Sequence, residues 1–394
     1  NADHRNMMGW ECYTDEFGIE SKGCGCNIGK NFRRIAGEKL RLWAETKPDV
    51  IWIDDDIRLH NHRTGIYNFW EGKTEAEGLD FGCFCENHIK KFNEIHNTSY
   101  TREDIVSACL EKGKPNKMRE MWGEFLNETL SDTSRWIEET IHSVSPDTRV
   151  AVMTSNPDVH AVEGRNWGDF LSALSGNKKP LLRPTFGPYL ESDPRDFSKS
   201  YMIVEQLLEN IKKQYKGSFD FCPEIENTRF TRYAKCISAT SYQIMLSAFL
   251  GCRGVTLSIF DLEGCVLSEE PEFGELLNNR KAYCDEMAKY NLFDWEAEGL
   301  TLVTAPDRIK NICLEKNAAR FSELLKERKW DDLLSKLGLP VRYSVPEKLE
   351  SAKTVVLDSF TAKQLTDDEL KLCLSKGLLL DAGAALEIVS RGLG

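Results

Sequence analysis

What this chain of 394 residues lacks narrows it first. No apolar run approaches the ~18 residues that span a bilayer, so no segment is a candidate membrane-spanning helix. Basic residues are not in excess. The net charge of -12, from 51 Lys and Arg against 63 Asp and Glu, argues against nucleic acid as the main partner. There is no P-loop, no Gly-x-Gly-x-x-Gly, and no Ser-His-Asp or Cys-His arrangement in a recognisable motif. Internal repeats and low-complexity segments are also missing. The first residues, Asn1-Ala2-Asp3-His4-Arg5, are neither a signal peptide nor an initiator Met, which suggests a processed or trimmed piece of something longer.

What is present is ordinary for a globular protein: 41% hydrophobic and 29% charged residues. The length allows a sizeable core and two domains. Thirteen cysteines is an odd number, and most lie singly in apolar surroundings, as buried free thiols do. That pattern points to a reducing compartment, and the chain is expected to be cytoplasmic.

The most informative segment is Ile51-Trp52-Ile53-Asp54-Asp55-Asp56. Four apolar residues, Val50 to Ile53, follow Pro48-Asp49 and read as a buried parallel strand. Three carboxylates at its C-terminal end stand where α/β folds carry their chemistry. Crowded there, they repel one another, which raises the pKa of at least one and equips it as an acid.

Strand-like and helix-like segments alternate to about residue 290. Helices are expected at Asn31 to Ala44, from near Glu86, at Met118 to Ser143, Asn166 to Leu174, Phe197 to Tyr215 and Tyr233 to Leu250. Strands are expected at Arg149 to Thr154, Pro180 to Thr185, Ser218 to Pro223 and Gly254 to Phe260. Residues 59–82 read as a long loop. Five strand–helix units in series, each strand ending on polar residues, predict a parallel sheet, and a (β/α)8 barrel suits it best. After Trp295 a second α/β unit follows, with strands at Gly299 to Thr304, Val341 to Val345, Thr354 to Leu357 and Gly377 to Leu380, and a helix over Leu314 to Leu337.

Two further constellations carry chemistry. Cys24-Gly25-Cys26 with Cys83-Phe84-Cys85-Glu86-Asn87-His88 offers the soft ligands of a structural zinc site. Pro223-Glu224-Ile225-Glu226-Asn227 follows a strand directly, so carboxylates stand at two strand ends, the minimal equipment for glycoside hydrolysis. Trp52, Trp167, Phe186, Tyr189 and Phe260 are candidate faces for sugar stacking. His60 and His62 could bind substrate hydroxyls, or hold a divalent ion with Asp54 to Asp56 in a metal-dependent hydrolase.

In order, these motifs resemble the glycoside hydrolase family 42 β-galactosidases and their clan-A relatives. That family has a strand-4 segment close to Trp-Gln-Ile-Asp-Asn-Glu, whose Glu is the acid/base. Ile51-Trp52-Ile53-Asp54-Asp55-Asp56 falls there, with Asp55 at the Asn and Asp56 at the Glu. A Cys-x-Cys-x-x-Cys run before a helix is matched by Cys83-Phe84-Cys85-Glu86-Asn87-His88, with His in the third place. A Cys-Pro-Asn-Ser-Pro-x-Tyr-Arg stretch is similar to Cys26 through Arg33. The resemblance implies zinc held by Cys26, Cys83, Cys85 and His88, with no organic cofactor. It implies a retaining hydrolase for β-linked sugars, with Glu224 as nucleophile (Glu226 as runner-up) and Asp56 as acid/base.

The expected substrate-binding set is Asp55, Asn156, Tyr189 and Glu226, and a glycoside is the partner. Residues 1–297 would form a TIM barrel of about strands 4–8, the first strands having no counterpart before Gly9. Residues 298–394 would form a flavodoxin-like domain of the trimerisation type. The departures from the Asn-Glu motif support a rival of another class, a non-catalytic carbohydrate-binding or scaffold protein on a degenerate barrel.

Overall fold

The computed structural model describes residues 9–54, 56–62, 79–189, 191, 196–227, 235–260, 267–325 and 330–394. Asp55 and most of the stretch read as a long loop, residues 63–78, lie outside the described residues.

A hairpin of β1 (Cys12–Thr14) and β2 (Glu20–Gly25) opens the chain, antiparallel and off the main sheet. The strand–helix reading of the sequence did not foresee it, because Gly18 at its tip lies in a segment with no clean alternation. Helix α1 (Lys30–Glu45) leads to β3 (Val50–Ile53). The region read as a long loop contains a short antiparallel ribbon, β4 (His60–His62) with β5 (Leu79–Phe81). Helices α2 (Glu86–His96), α3 (Arg102–Cys109) and α4 (Lys117–His142) follow. Thr101 starts α3 through a reciprocal capping box with Asp104, and the Asn116 side chain starts α4 by accepting the Arg119 N–H.

The sheet then accumulates in register: β6 (Arg149–Thr154), helices α5 (Pro157–Val162) and α6 (Trp167–Ser175), β7 (Leu181–Pro184), α7 (Asp196–Gln214), β8 (Asp220–Phe221), β9 (Glu224–Glu226), α8 (Ile237–Phe249), β10 (Thr256–Ser258) and α9 (Pro271–Met287). Strands β3, β6, β7 and β8 pair in parallel and in chain order. A parallel bridge from Thr185 to Glu224 carries the order on to β9, which pairs with β10. Among the described residues this is an open parallel arc and not a closed ring. Buried rings fill its outer layer: Phe84 stacks on Trp122 at 4.8 Å, and Phe92 meets Phe125 edge-on at 5.4 Å.

The second unit has β11 (Leu300–Val303), α10 (Arg308–Asn311), α11 (Trp330–Lys336), β12 (Val341–Ser344), β13 (Thr354–Leu357), α12 (Ser359–Ala362), α13 (Asp367–Leu374), β14 (Gly377–Leu380) and α14 (Ala382–Ser390). Its four strands are all parallel in the order β12-β11-β13-β14, the doubly wound arrangement. The helix expected over Leu314 to Leu337 does not form as one element. Leu314 exchanges backbone hydrogen bonds with Gly113, and the Ala318 N–H donates to the Leu110 carbonyl. Those donors are therefore spent on the loop between α3 and α4, and among the described residues of that stretch only Trp330–Lys336 is α-helical. Among the described residues, no helix is long and apolar enough to cross a membrane.

Candidate functional site

Just beyond β3, within and just after β7, and along β9 the structure gathers Asp54, Arg183, Thr185, Tyr189, Glu224 and Glu226. Arg183 stands inside an apolar strand, and its guanidinium lies 6.0 Å from the centre of the Trp52 ring. One of its nitrogens, Nη2, bonds Asp54 Oδ1 and also pairs with Glu224 Oε1 at 3.1 Å. The Tyr189 hydroxyl donates to Glu224 Oε2 at 3.0 Å and is itself linked to Thr185. Glu224 is buried, at 7% exposure, whereas the Asp54 side chain is 77% exposed.

Burial pushes the Glu224 carboxyl above its ordinary range, against the opposing pull of Arg183 and the Tyr189 hydrogen bond. Burial also raises Glu226, again opposed by Arg183. Lys235 secures the floor of the site. It is buried, and donates to the Pro188 carbonyl at 3.0 Å, to the Glu226 carbonyl at 3.0 Å and to the Gln243 side chain. Gln243 in turn donates to the Phe186 carbonyl at 2.9 Å. Burial brings the Lys235 ammonium down to about 8.

The residue expected as the acid/base, Asp56, is elsewhere. It adopts a left-handed backbone with φ of 70°, and its side chain is 1% exposed. Its carboxylate accepts from the Ile57 N–H at 2.7 Å and the Ser155 N–H at 3.1 Å, and pairs with Arg165 at 3.0 Å. Arg165 also pairs with Glu163 at 2.7 Å, and Glu163 binds His60 Nδ1 at 2.7 Å and His160 Nδ1 at 2.9 Å. Burial alone would raise Glu163, but Arg165, His60 and His160 outweigh it and hold its carboxyl well below the usual range. Asp56 is therefore a member of a buried polar network with Arg165, Glu163, His60 and His160. His60, His160 and Glu163 are close enough to hold an ion, but the Arg165 guanidinium already supplies the positive charge there. His60 thus turns to Glu163 and not to the acids of β3.

Other expectations divide. Asn156 caps α5, its side-chain oxygen accepting the Asp158 N–H at 3.0 Å. Phe186 and Trp167 are buried core, at 0% and 1% exposure. Arg183 and Lys235 were missed. The legible signal for Arg183 was a cation interrupting the apolar strand Leu181–Pro184, where a buried charge requires a partner.

The cysteines and histidine of the second constellation do meet. Cys26, Cys83, Cys85 and His88 place one ligand atom each within 4.8 Å of one another. Cys26 Sγ lies 3.5 Å from Cys85 Sγ and 3.4 Å from His88 Nδ1, and Cys85 Sγ is 3.3 Å from that nitrogen. A tetrahedral ion with metal–sulfur bonds of about 2.3 Å would set sulfur–sulfur edges near ~3.8 Å, so the cage fits with small adjustment. Cys85 precedes α2 and His88 follows one turn later, which aims both at one point. Hydrogen bonds from Cys26 and Cys83, then from His88, drive the Cys85 thiol far down, while burial and the hydrogen bonds to Cys26 and Cys85 push the Cys83 thiol up and Cys26 is raised with it, so one thiolate is favoured among the three. The four residues could hold a metal ion. Cys24 is not part of the set; its sulfur accepts from Asn61 at 2.8 Å. All described cysteines are free.

No family model matches this chain, and no curated protein does. Solved structures do. The β-galactosidase Gan42B, a family 42 glycoside hydrolase, aligns over 98% of this chain at 12% identity with a TM-score of 0.54. The β-galactosidase of the psychrophilic Marinomonas ef1 aligns over 96% at 11% identity, TM-score 0.52. That of Bacillus circulans sp. alkalophilus aligns over 92% at 14% identity, TM-score 0.50. The chain spans 60%, 63% and 57% of those three proteins. It shares their fold along nearly its whole length.

Proposed function

We propose that this chain carries the catalytic face of a retaining glycoside hydrolase for β-linked sugars, galactosides first. The observation that supports this most is the sharing of one Arg183 nitrogen by Glu224 and Asp54. Two oxygens bound to one nitrogen lie no more than about 6 Å apart. That suits the ~5–5.5 Å carboxyl separation of retention better than the ~6.5–9.5 Å of inversion.

In this reading Glu224 is the nucleophile. Its Oε attacks the anomeric carbon, a glycosyl–Glu224 ester forms, and the bond to the leaving oxygen breaks. Tyr189 and Arg183 hold the attacking carboxylate in place and ionised before attack. The partner acid at the end of β3 is Asp54, in place of the Asp56 expected from the sequence. It protonates the leaving oxygen, then removes a proton from the water that cleaves the ester. Glu226 and Tyr189 would contact the sugar. The Cys26, Cys83, Cys85 and His88 cage would hold a structural zinc ion, which fixes the ribbon β4–β5 against α2. The second unit would serve assembly, as a trimer.

A second reading rests on the same ion pair. Asp54 serves there as a counter-ion of Arg183, which supports sugar binding without turnover. Hydrolysis of aryl β-galactoside, β-glucoside and β-fucoside separates the two. The parent chain should turn over at least one, Glu224→Ala should be inactive, and added azide should restore release of the aryl group as its phenol while the sugar leaves as a glycosyl azide. Asp54→Asn should lose ~10²–10⁴-fold, the usual contribution of a general acid/base. Binding of galactose with no turnover by the parent chain would instead establish the second reading.

A further inference from the structure

A cavity of about 530 Å³ lies between α7 of the first unit, the segment leading into β11, and β12 of the second. That volume is in the range of small-ligand sites, ~300–1,000 Å³. Its lining shares no residue with the group formed by Asp54, Arg183, Thr185, Tyr189, Glu224 and Glu226. We propose that it is a second carbohydrate site, which takes an uncharged mono- or disaccharide on the face of Trp295 with a hydroxyl bonded to Glu205. The proposal rests on the glycoside reading of the chain for its class of ligand.

The charges in the wall are already matched. Glu209 pairs with Lys212 at 3.3 Å and with Lys348 at 3.1 Å. Arg342 faces Glu296 at 4.0 Å and donates to the Ala297 carbonyl at 2.9 Å. Neither a cation nor an anion would find an unbalanced partner among these groups. Glu205 is the exception in its bonding. Tyr343 supplies a backbone hydrogen bond to its carboxyl, but Oε2 is buried without a partner. A buried acceptor left unpaired costs free energy unless a ligand or water completes it. Burial pushes this carboxyl up to about 8, which favours its uncharged form. An uncharged acid both donates and accepts, which matches a sugar hydroxyl. Trp295 lines the same cavity and is 64% exposed, an unusual cost for an indole unless something covers its face.

The test uses the Glu224→Gln chain, so that no sugar is consumed, and titrates lactose and galactose by calorimetry and saturation-transfer NMR. Two classes of site are expected. Trp295→Ala and Glu205→Leu should each weaken one class at least tenfold and leave the other unchanged. In chains with Glu224 intact, both variants should hydrolyse a short aryl glycoside within twofold of the parent rate. Ser351→Trp, which narrows the cavity from its rim, keeps the test open should Trp295→Ala fail to fold. A single class of binding, untouched by all three variants, would overturn the proposal. So would no sugar binding at all, or competition for the site by simple alkylamines. If the parent hydrolyses nothing yet Trp295→Ala still abolishes lactose binding, the hydrolase reading fails and this site stands.

Discussion

Replacing Asp56 by Asn tests whether that residue is structural or catalytic. Its Oδ1 takes the Ile57 N–H and Arg165, and its Oδ2 takes the Ser155 N–H. Asn can keep the Oδ1 partners but turns an NH₂ group toward the Ser155 N–H. That loses one hydrogen bond to a charged group, about 1.5–3 kcal/mol, and strands a buried donor. Arg165 keeps Glu163 as counter-ion at 2.7 Å, so the loss should stay below the full ~3–5 kcal/mol of a broken buried pair. The expected cost is about 3 kcal/mol. Asp56→Ala should cost ~1–2 kcal/mol more, since φ of 70° is tolerated by Asn but strained for Ala. Urea denaturation followed by near-UV circular dichroism measures the stability, and aryl glycoside hydrolysis per folded molecule measures the chemistry. The rate should stay within about threefold of the parent. An Asp56→Asn chain of unchanged stability that has lost ~10²-fold or more of its rate would refute the structural assignment and restore Asp56 as the acid.

Other outcomes follow from the same geometry. Zinc should co-purify with the chain at one ion per molecule, and Cys83→Ser or a strong chelator should lower the melting temperature; a metal-free preparation indifferent to chelator would contradict this. Burial holds Glu16 up to about 7, against 4.5 in the unfolded chain, so its contribution is fully present below pH ~4.5 and is lost as pH rises to ~7. At 1.36 kcal/mol per unit that is about 3 kcal/mol, and the parent should lose stability relative to Glu16→Gln across this window; parallel pH profiles would exclude it. Lys235→Met should cost about 3 kcal/mol and raise KM, because the Pro188 and Glu226 carbonyls lose their shared donor. An unchanged denaturation midpoint would show that Lys235 does not brace the site.

Much of this was written in the sequence. The alternation of apolar runs and amphipathic stripes located β3, β6, β7 and most of α1, α4 and α7 within a residue or two. The spacing of Cys83, Cys85 and His88 around a helix start brought the thiol cage into view. What periodicity cannot carry is the direction of a side chain just beyond a strand. Asp54, Asp55 and Asp56 are equivalent as text, but one left-handed residue turns Asp56 inward to Arg165, 109 positions away. Arg165 and Glu163 lie in a short loop between helices, where no pattern announces a partner. The failed helix after Leu314 has the same origin: local propensity favoured it, and the carbonyls of Leu110 and Gly113 took its donors.

The open arc of the first sheet has a consequence for how the molecule breathes. Among the described residues β6 and β7 each pair on both sides, whereas β3 and β10 each pair on one side only. Amide protons of Val150 to Val152 and Leu182 should therefore exchange with solvent only through large openings, while those of β10 escape through fraying of a single ladder. Exchange rates should rise outward from the centre of the arc. Asp54 and Arg183 bridge that gradient, since one follows the marginal strand and the other belongs to the protected one. The ion pair between them thus joins a slow part of the protein to a fast one, and ligand binding across it should be visible as a slowing at β3 alone.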